Sequence, residues 1–162
     1  MSSDPQTQAS DNQPMPGFFL NLASADPAAA AAFFTALGFT PMPAWDDAQT
    51  KSFRLPHPNQ QICLMIHGPG RFKEFMRPDT DIVDARKATE ALFSIAVEKR
   101  DEVDEWLARV VKAGGTLDPY KMEGFGEGMG MYTRSFTDLD GHIWEVLAMI
   151  KGGSCGPGSG GA

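Results

Sequence analysis

Cysteine is scarce in this 162-residue chain. Cys63 and Cys155 stand far apart, outside any paired-cysteine spacing. A disulfide framework and a zinc knuckle are thereby excluded, and a reducing cytoplasm is the expected setting. Basic residues are also few, with 14 Lys and Arg against 21 Asp and Glu for a net charge of −7. Nucleic-acid binding needs clustered Lys and Arg to meet phosphates, so no such partner is expected. No apolar run approaches the roughly 20 residues that cross a bilayer. Residues 1–16 are polar and acidic and lack the basic-then-apolar order of a signal peptide. No membrane association is expected either.

What is present fits one domain with a substantial core, over residues 17–151. Residues 1–16 and the Gly/Ser-rich residues 152–162 read as tails without structure. Residues 18–23 (FFLNLA) are a short apolar strand. Asp26 and Pro27 follow as an N-cap and a first-turn proline, opening a helix that carries Phe33, Phe34 and Leu37 and stops at Gly38. Residues 39–45, 50–55 and 61–67 are strand candidates separated by turn-forming residues. An irregular bridge spans 68–87, with a helical turn expected near 71–76. Residues 90–97 then form another apolar strand. The stretch 100–112 (RDEVDEWLARVVK) is an amphipathic helix with Val103, Trp106, Leu107, Val110 and Val111 on one face, ended by Ala113-Gly114-Gly115. Strands are expected at 116–120, 131–137 and 142–149.

The order strand, helix, strand, strand, strand thus occurs twice, over about 17–67 and 89–149, and marks an internal duplication. The fold class is α+β: two βαβββ modules forming a curved eight-stranded mixed sheet around a cleft, with helices on the outside.

One stretch carries most of the functional information: Thr137-Asp138-Leu139-Asp140-Gly141-His142-Ile143-Trp144-Glu145-Val146. A strand ends, an Asp-Gly turn follows, and the next strand places a lone carboxylate among apolar residues. A charge so placed is costly unless something pairs with it or uses it. Glu145 is therefore a metal ligand, a polar contact inside a ligand cavity, or the partner of a buried cation. It shares a strand face with Ile143 and Leu147. Arg134 alternates with Tyr132 and Phe136 on the preceding strand, which would supply a cation and aromatic walls to a ligand, or pair Arg134 with Glu145.

With the helix-capping run Asp26 to Phe39 (DPAAAAAFFTALGF), Lys112-Ala113-Gly114-Gly115 and the segment from Phe136 to Glu145, the chain resembles the vicinal oxygen chelate superfamily, which includes lactoylglutathione lyase, extradiol dioxygenases and bleomycin-resistance proteins. The resemblance covers nearly all of 17–149 and implies a homodimer. Its metal enzymes take ligands from the first and last strand of each module. Aligned on this chain, those positions fall on Phe19, on Leu64 (Cys63 or Met65 with a slip of one residue), on Leu92 and on Glu145. One carboxylate does not make the three or so protein ligands a catalytic metal takes. The expectation is a protein without metal or other cofactor that binds a small, partly apolar molecule, with Phe19, Leu64, Leu92, Tyr132, Arg134 and Glu145 as ligand contacts. The alternative is a glyoxalase-like lyase or isomerase with Glu145 as general base.

The remaining candidates have plainer readings. His142 and Glu145 fall on opposite faces of a strand, so they are not a ligand pair. His57 and His67 read as surface residues, and Cys63 as a buried, inert thiol. Trp45, Trp106 and Trp144 read as core or sheet-face residues, and the nine methionines as adaptable apolar packing. Residues 124–131 (GFGEGMGM) lack the strand–turn–helix context of a dinucleotide loop and read either as a mobile hairpin or lid over the cleft or as a plain flexible connection.

Overall fold

The computed structural model describes residues 14–121 and 126–150. The two expected tails fall outside these residues except for 14–16, as does part of the glycine-rich 124–131 segment. Two modules of identical topology follow one another. The first contains β1 (Phe18–Ala23), α1 (Pro27–Ala36), β2 (Thr40–Pro41), β3 (Thr50–Arg54) and β4 (Ile62–His67). A bridge holding the short helix α2 (Pro69–Lys73) leads to β5 (Leu92–Val97), α3 (Arg100–Ala113), β6 (Thr116–Leu117), β7 (Met131–Thr137) and β8 (Ile143–Met149). The sheet orders are β1-β4-β3-β2 and β5-β8-β7-β6, each with one parallel pair, β1 with β4 and β5 with β8. The duplication read from element order is therefore exact in its pairing, and the eight strands divide into two four-stranded mixed sheets.

Local sequence explains the helix ends. Asp26 accepts hydrogen bonds from the backbone N–H groups of Ala28 and Ala29, both at 3.0 Å, while Pro27 takes the first helical position. Gly38 and Gly114 close α1 and α3 in the same left-handed conformation, φ +96°, a region in which a side chain is strained. On α3, Val103, Trp106, Leu107 and Val110 are buried as the periodicity requires. Val111, expected on the same face, is 56% exposed, because at 100° per residue it falls at the edge of the buried stripe.

α1 and α3 pack against each other, and one aromatic cluster joins the modules beneath them. Phe34 of the first module meets Trp144 of the second edge-on, with ring centroids 5.5 Å apart. Phe39 lies 6.1 Å from Trp106. Burying side chains of this size contributes about 1.5–3 kcal/mol each, so neither module keeps its core without the other. The strand alternation follows from this. Leu20, Leu22, Leu64, Ile66, Phe136, Trp144 and Val146 face the core, and their sequence neighbours face the opposite side of each sheet, which α1 and α3 leave open.

Several elements differ from expectation. Residues 39–45 yield only the two-residue β2 and a 3-10 turn at Pro43–Trp45, because Pro41 and Pro43 remove backbone donors from a longer ladder. The bridge helix begins at Pro69 rather than near residue 71, as a proline suits the first turn. β6 ends at Leu117, where Asp118 takes a positive φ of 51°. Of the two readings of Trp45, core or sheet face, it takes the second: it is 38% exposed and stacks on Phe19 of β1 at 5.3 Å.

Candidate functional site

Glu145 lies on the open face of the second sheet, 9% exposed. The register sets Ser94 of β5 and Ser135 of β7 beside it. Ser94 donates its hydroxyl to one carboxylate oxygen at 2.9 Å, and the Tyr120 phenol donates to the other at 3.0 Å. Ser135 in turn donates to the Tyr120 carbonyl at 3.1 Å, which fixes the approach of that ring. Burial, reinforced by the neighbouring carboxylate, pushes the Tyr120 phenol up to about 12. Two hydroxyls thus offset the desolvation of Glu145, and among the described residues no Lys or Arg pairs with it.

Arg134 and Tyr132 lie on the other face of the second sheet. The odd offset that pairs Arg134 with Val146 and Tyr132 with Ala148 turns both toward α3. Arg134 makes a two-pronged ion pair with Asp118, both contacts at 2.9 Å, which holds the Asp118 carboxyl below its ordinary range. Tyr132 donates to Asp104 at 2.7 Å and lies under the Arg100 guanidinium. Neither reaches Glu145, so the expected cation and aromatic wall are absent from that face.

The duplication also corrects the fourth-strand position. Glu145 pairs with Ser94, five residues before the α3 N-cap, and Met65 pairs with Asn21, five residues before the α1 N-cap. Met65 is thus the counterpart of Glu145. Leu64 is fully buried in the core on the opposite face. The four positions that resemblance assigns to metal ligands are Phe19, Met65, Leu92 and Glu145. Phe19 stacks on Trp45 and Leu92 is 47% exposed. A phenyl ring, a thioether, an isobutyl group and one carboxylate do not fit a divalent catalytic metal, which prefers imidazole, carboxylate or thiolate donors. Among the described residues no group of three or more His, Cys, Asp or Glu is arranged to hold a metal.

His67, expected at the surface, is 2% exposed. It ends β4 on the open face, where its Nδ1 meets the Thr50 hydroxyl at 3.0 Å and its Nε2 meets the Asn21 side-chain oxygen at 2.9 Å. Burial, aided by Arg71 and opposed by Asp47, pushes its pKa down. His57 is an exposed partner of Glu98 at 2.9 Å, as its loop position implied. Cys63 is fully buried and burial pushes its thiol up, consistent with an inert cysteine.

A cavity of about 430 Å³ lies where β1, the bridge and the turn before β8 meet. Leu20, Leu22, Phe72, Met76 and Phe93 give it apolar walls, and His142 and Asn21 are among its polar lining. The bridge closes on the second module at Gly141, φ +96°, where an added Cβ would stand 2.6 Å from Arg86 Cγ and 2.9 Å from its backbone nitrogen. Arg86 also donates to the Leu139 carbonyl there. None of the six residues expected to contact a ligand lines this cavity. Its main wall, the bridge, has no periodicity from which the sequence could reveal it. Ser94, Ser135 and Tyr120 were missed for a different reason: only the β5–β8 and β7–β8 register brings them to Glu145.

No helix among the described residues is long and apolar enough to cross a membrane. A comparison with curated proteins finds no match. Among solved structures, the chain is similar to a hypothetical protein from S. aureus, with 24% identity, TM-score 0.64, and coverage of 80% of this chain and 91% of that one. It is also similar to a lactoylglutathione lyase from Agrobacterium tumefaciens, with 21% identity, TM-score 0.58, and coverage of 83% and 94%. A fosfomycin resistance protein from Listeria monocytogenes matches at 17% identity, TM-score 0.55, and coverage of 82% and 92%. At these identities the likenesses establish the fold alone. The profile of the glyoxalase/bleomycin resistance protein/dioxygenase superfamily matches residues 18–146, most of the folded chain. With its paired βαβββ modules, the chain belongs to that superfamily.

Proposed function

We propose that the protein binds a small, partly apolar molecule in the cavity between its modules and does so without a catalytic metal. The observation that carries this reading is the cavity itself. Its volume of about 430 Å³ falls within the roughly 300–1,000 Å³ typical of small-molecule sites. Hydrocarbon walls with few polar groups suit a ligand that is mostly apolar and oriented by one or two hydrogen bonds. The donor set at Phe19, Met65, Leu92 and Glu145 supports metal independence. A homodimer goes with this reading: Leu92 and Met149 leave apolar surface on the open face of the second sheet, 47% and 37% exposed, which a second copy would cover. So does a cytoplasmic setting, where Cys63 stays reduced.

Calorimetric titration with a panel of apolar and aromatic compounds tests the reading. Saturable binding that is lost in Ala85→Trp, which fills the cavity from the bridge, is the expected result. Absence of any binding, or binding indifferent to that substitution, would overturn it.

A second reading treats Glu145 as the general base of a glyoxalase-like lyase or isomerase. What favours it is a buried carboxylate with no cation partner, held by Ser94 and Tyr120. Turnover of a glutathione hemithioacetal that disappears in Glu145→Gln would establish it, and inactivity of the wild-type protein would remove it.

A further inference from the structure

We infer that His142, oriented by Asp138, is the hydrogen-bond acceptor that selects the cavity's ligand, a molecule with a hydrocarbon body and one hydroxyl or ammonium donor. The inference deepens the cavity-binding reading and rests on it.

Asp138 is 6% exposed and takes four donors. The backbone N–H groups of Asp140 and His142 reach one oxygen, each at 3.0 Å. The indole N–H of Trp144 reaches the other at 3.0 Å, beside His142 Nδ1 at 2.9 Å. The first three contacts can only be donors. A group surrounded in this way accepts throughout, so His142 Nδ1 carries a proton, and in the neutral imidazole Nε2 then keeps its lone pair. His142 lines the cavity, and among the described residues its Nε2 has no partner. An Asp and a His placed four residues apart, across a turn locked by Trp144, thus present a fixed acceptor to an apolar space.

The other polar groups narrow the ligand further. Asn21 is already engaged, its oxygen by His67 Nε2 at 2.9 Å and its amide by the Phe19 carbonyl at 3.5 Å. Asp81 and Glu90 are the charged side chains in the lining, and no Lys or Arg joins them. Arg86 and Lys73 border an adjoining hollow instead, and Arg86 is bonded to the Leu139 carbonyl. A carboxylate ligand would meet two like charges and an acceptor nitrogen, so it is selected against. A hydroxyl or an ammonium donates to Nε2 and leaves the walls to its hydrocarbon part.

Four probes of one shape separate these contributions: 1-naphthalenemethanol, 1-naphthalenemethylamine, 1-methylnaphthalene and 1-naphthoate, titrated calorimetrically into the full chain. The alcohol and the amine are expected to bind about tenfold more tightly than methylnaphthalene, the worth of one well-placed hydrogen bond, and naphthoate weakest. His142→Phe should abolish the alcohol's advantage and leave methylnaphthalene affinity unchanged, while the amine keeps what Asp81 and Glu90 give it. Should that variant not fold, His142→Lys, whose ammonium can still donate to Asp138 and has no acceptor, serves in its place with the same expected loss. Equal affinity for all four probes, or an alcohol advantage that survives both substitutions, overturns the role of His142 while the cavity reading stands. Failure of every probe to bind, or binding untouched by Ala85→Trp, overturns the cavity reading itself. An amine preference over the alcohol that His142→Phe reduces identifies the donor as ammonium, and the reverse preference identifies it as hydroxyl.

Discussion

Replacing Tyr120 with phenylalanine removes one oxygen and leaves Glu145 with a single hydroxyl donor. A hydrogen bond to a charged acceptor contributes about 1.5–3 kcal/mol. A second route to the magnitude starts from the phenol pKa, which stands near 10 when unperturbed and is pushed up to about 12 in the fold. Two units correspond to about 2.7 kcal/mol. This is a ceiling for the bond, since burial of the ring is the larger cause of the shift and phenylalanine keeps that burial. Tyr120→Phe should therefore destabilise the protein by about 1.5–2.5 kcal/mol at pH 7. The pH dependence has a definite sign. A phenol whose folded pKa lies above its unfolded value stabilises fully below pH 10, and that contribution is lost as pH rises to about 12. Urea unfolding of both proteins, monitored by tryptophan fluorescence, should show a gap that is constant from pH 7 to 9 and closes above pH 10. Equal stability at pH 7, or a gap that persists through pH 11, would refute the capping of Glu145 by Tyr120.

Other consequences can be measured directly. Gly115→Ala places a Cβ 2.6 Å from Val110 Cγ1, 2.8 Å from the Thr137 carbonyl oxygen and 3.0 Å from Phe33 Cε2. Because one of these is backbone, the substitution should cost about 1–3 kcal/mol in chemical denaturation, and unchanged stability would contradict the packing. The pKa of His67 is lowered in the fold, so the unfolded chain binds the extra proton first and stability falls as pH drops below about 6.5. Urea midpoints at pH 8 and pH 5 should fall further for the wild-type protein than for His67→Gln, and parallel losses would show that His67 is not buried neutral.

Much of the fold was legible because it rests on local chemistry. The Asp26 cap, the glycine stops at Gly38 and Gly114 and the buried stripe of α3 are each written within a few residues of one another. The repeated element order then disclosed the duplication, although the identity between the halves is weak. The site was less legible, and parity is the main reason. A displacement of one residue moves a strand side chain to the opposite face, which is why Leu64 stood in for Met65. Tyr132 and Arg134 were correctly placed on one face with Phe136, but whether that face or its opposite met Glu145 depended on the β7–β8 register. Asp138 carries a different lesson. Its four donors come from a turn and the start of a strand, and nothing in the spacing of Asp138, His142 and Trp144 announces that they share one carboxylate. The bridge is the least legible element, since it is held by Arg86 against a glycine rather than by any periodic pattern.

Elemental analysis of the purified protein, repeated after incubation with nickel, zinc, iron(II) and manganese and desalting, tests the central claim most directly. Loss of metal donors at Phe19, Met65 and Leu92 predicts substoichiometric metal under every condition, with Glu145→Gln indistinguishable from the wild type. One equivalent of a divalent metal that survives desalting and is lost in Glu145→Gln would contradict it.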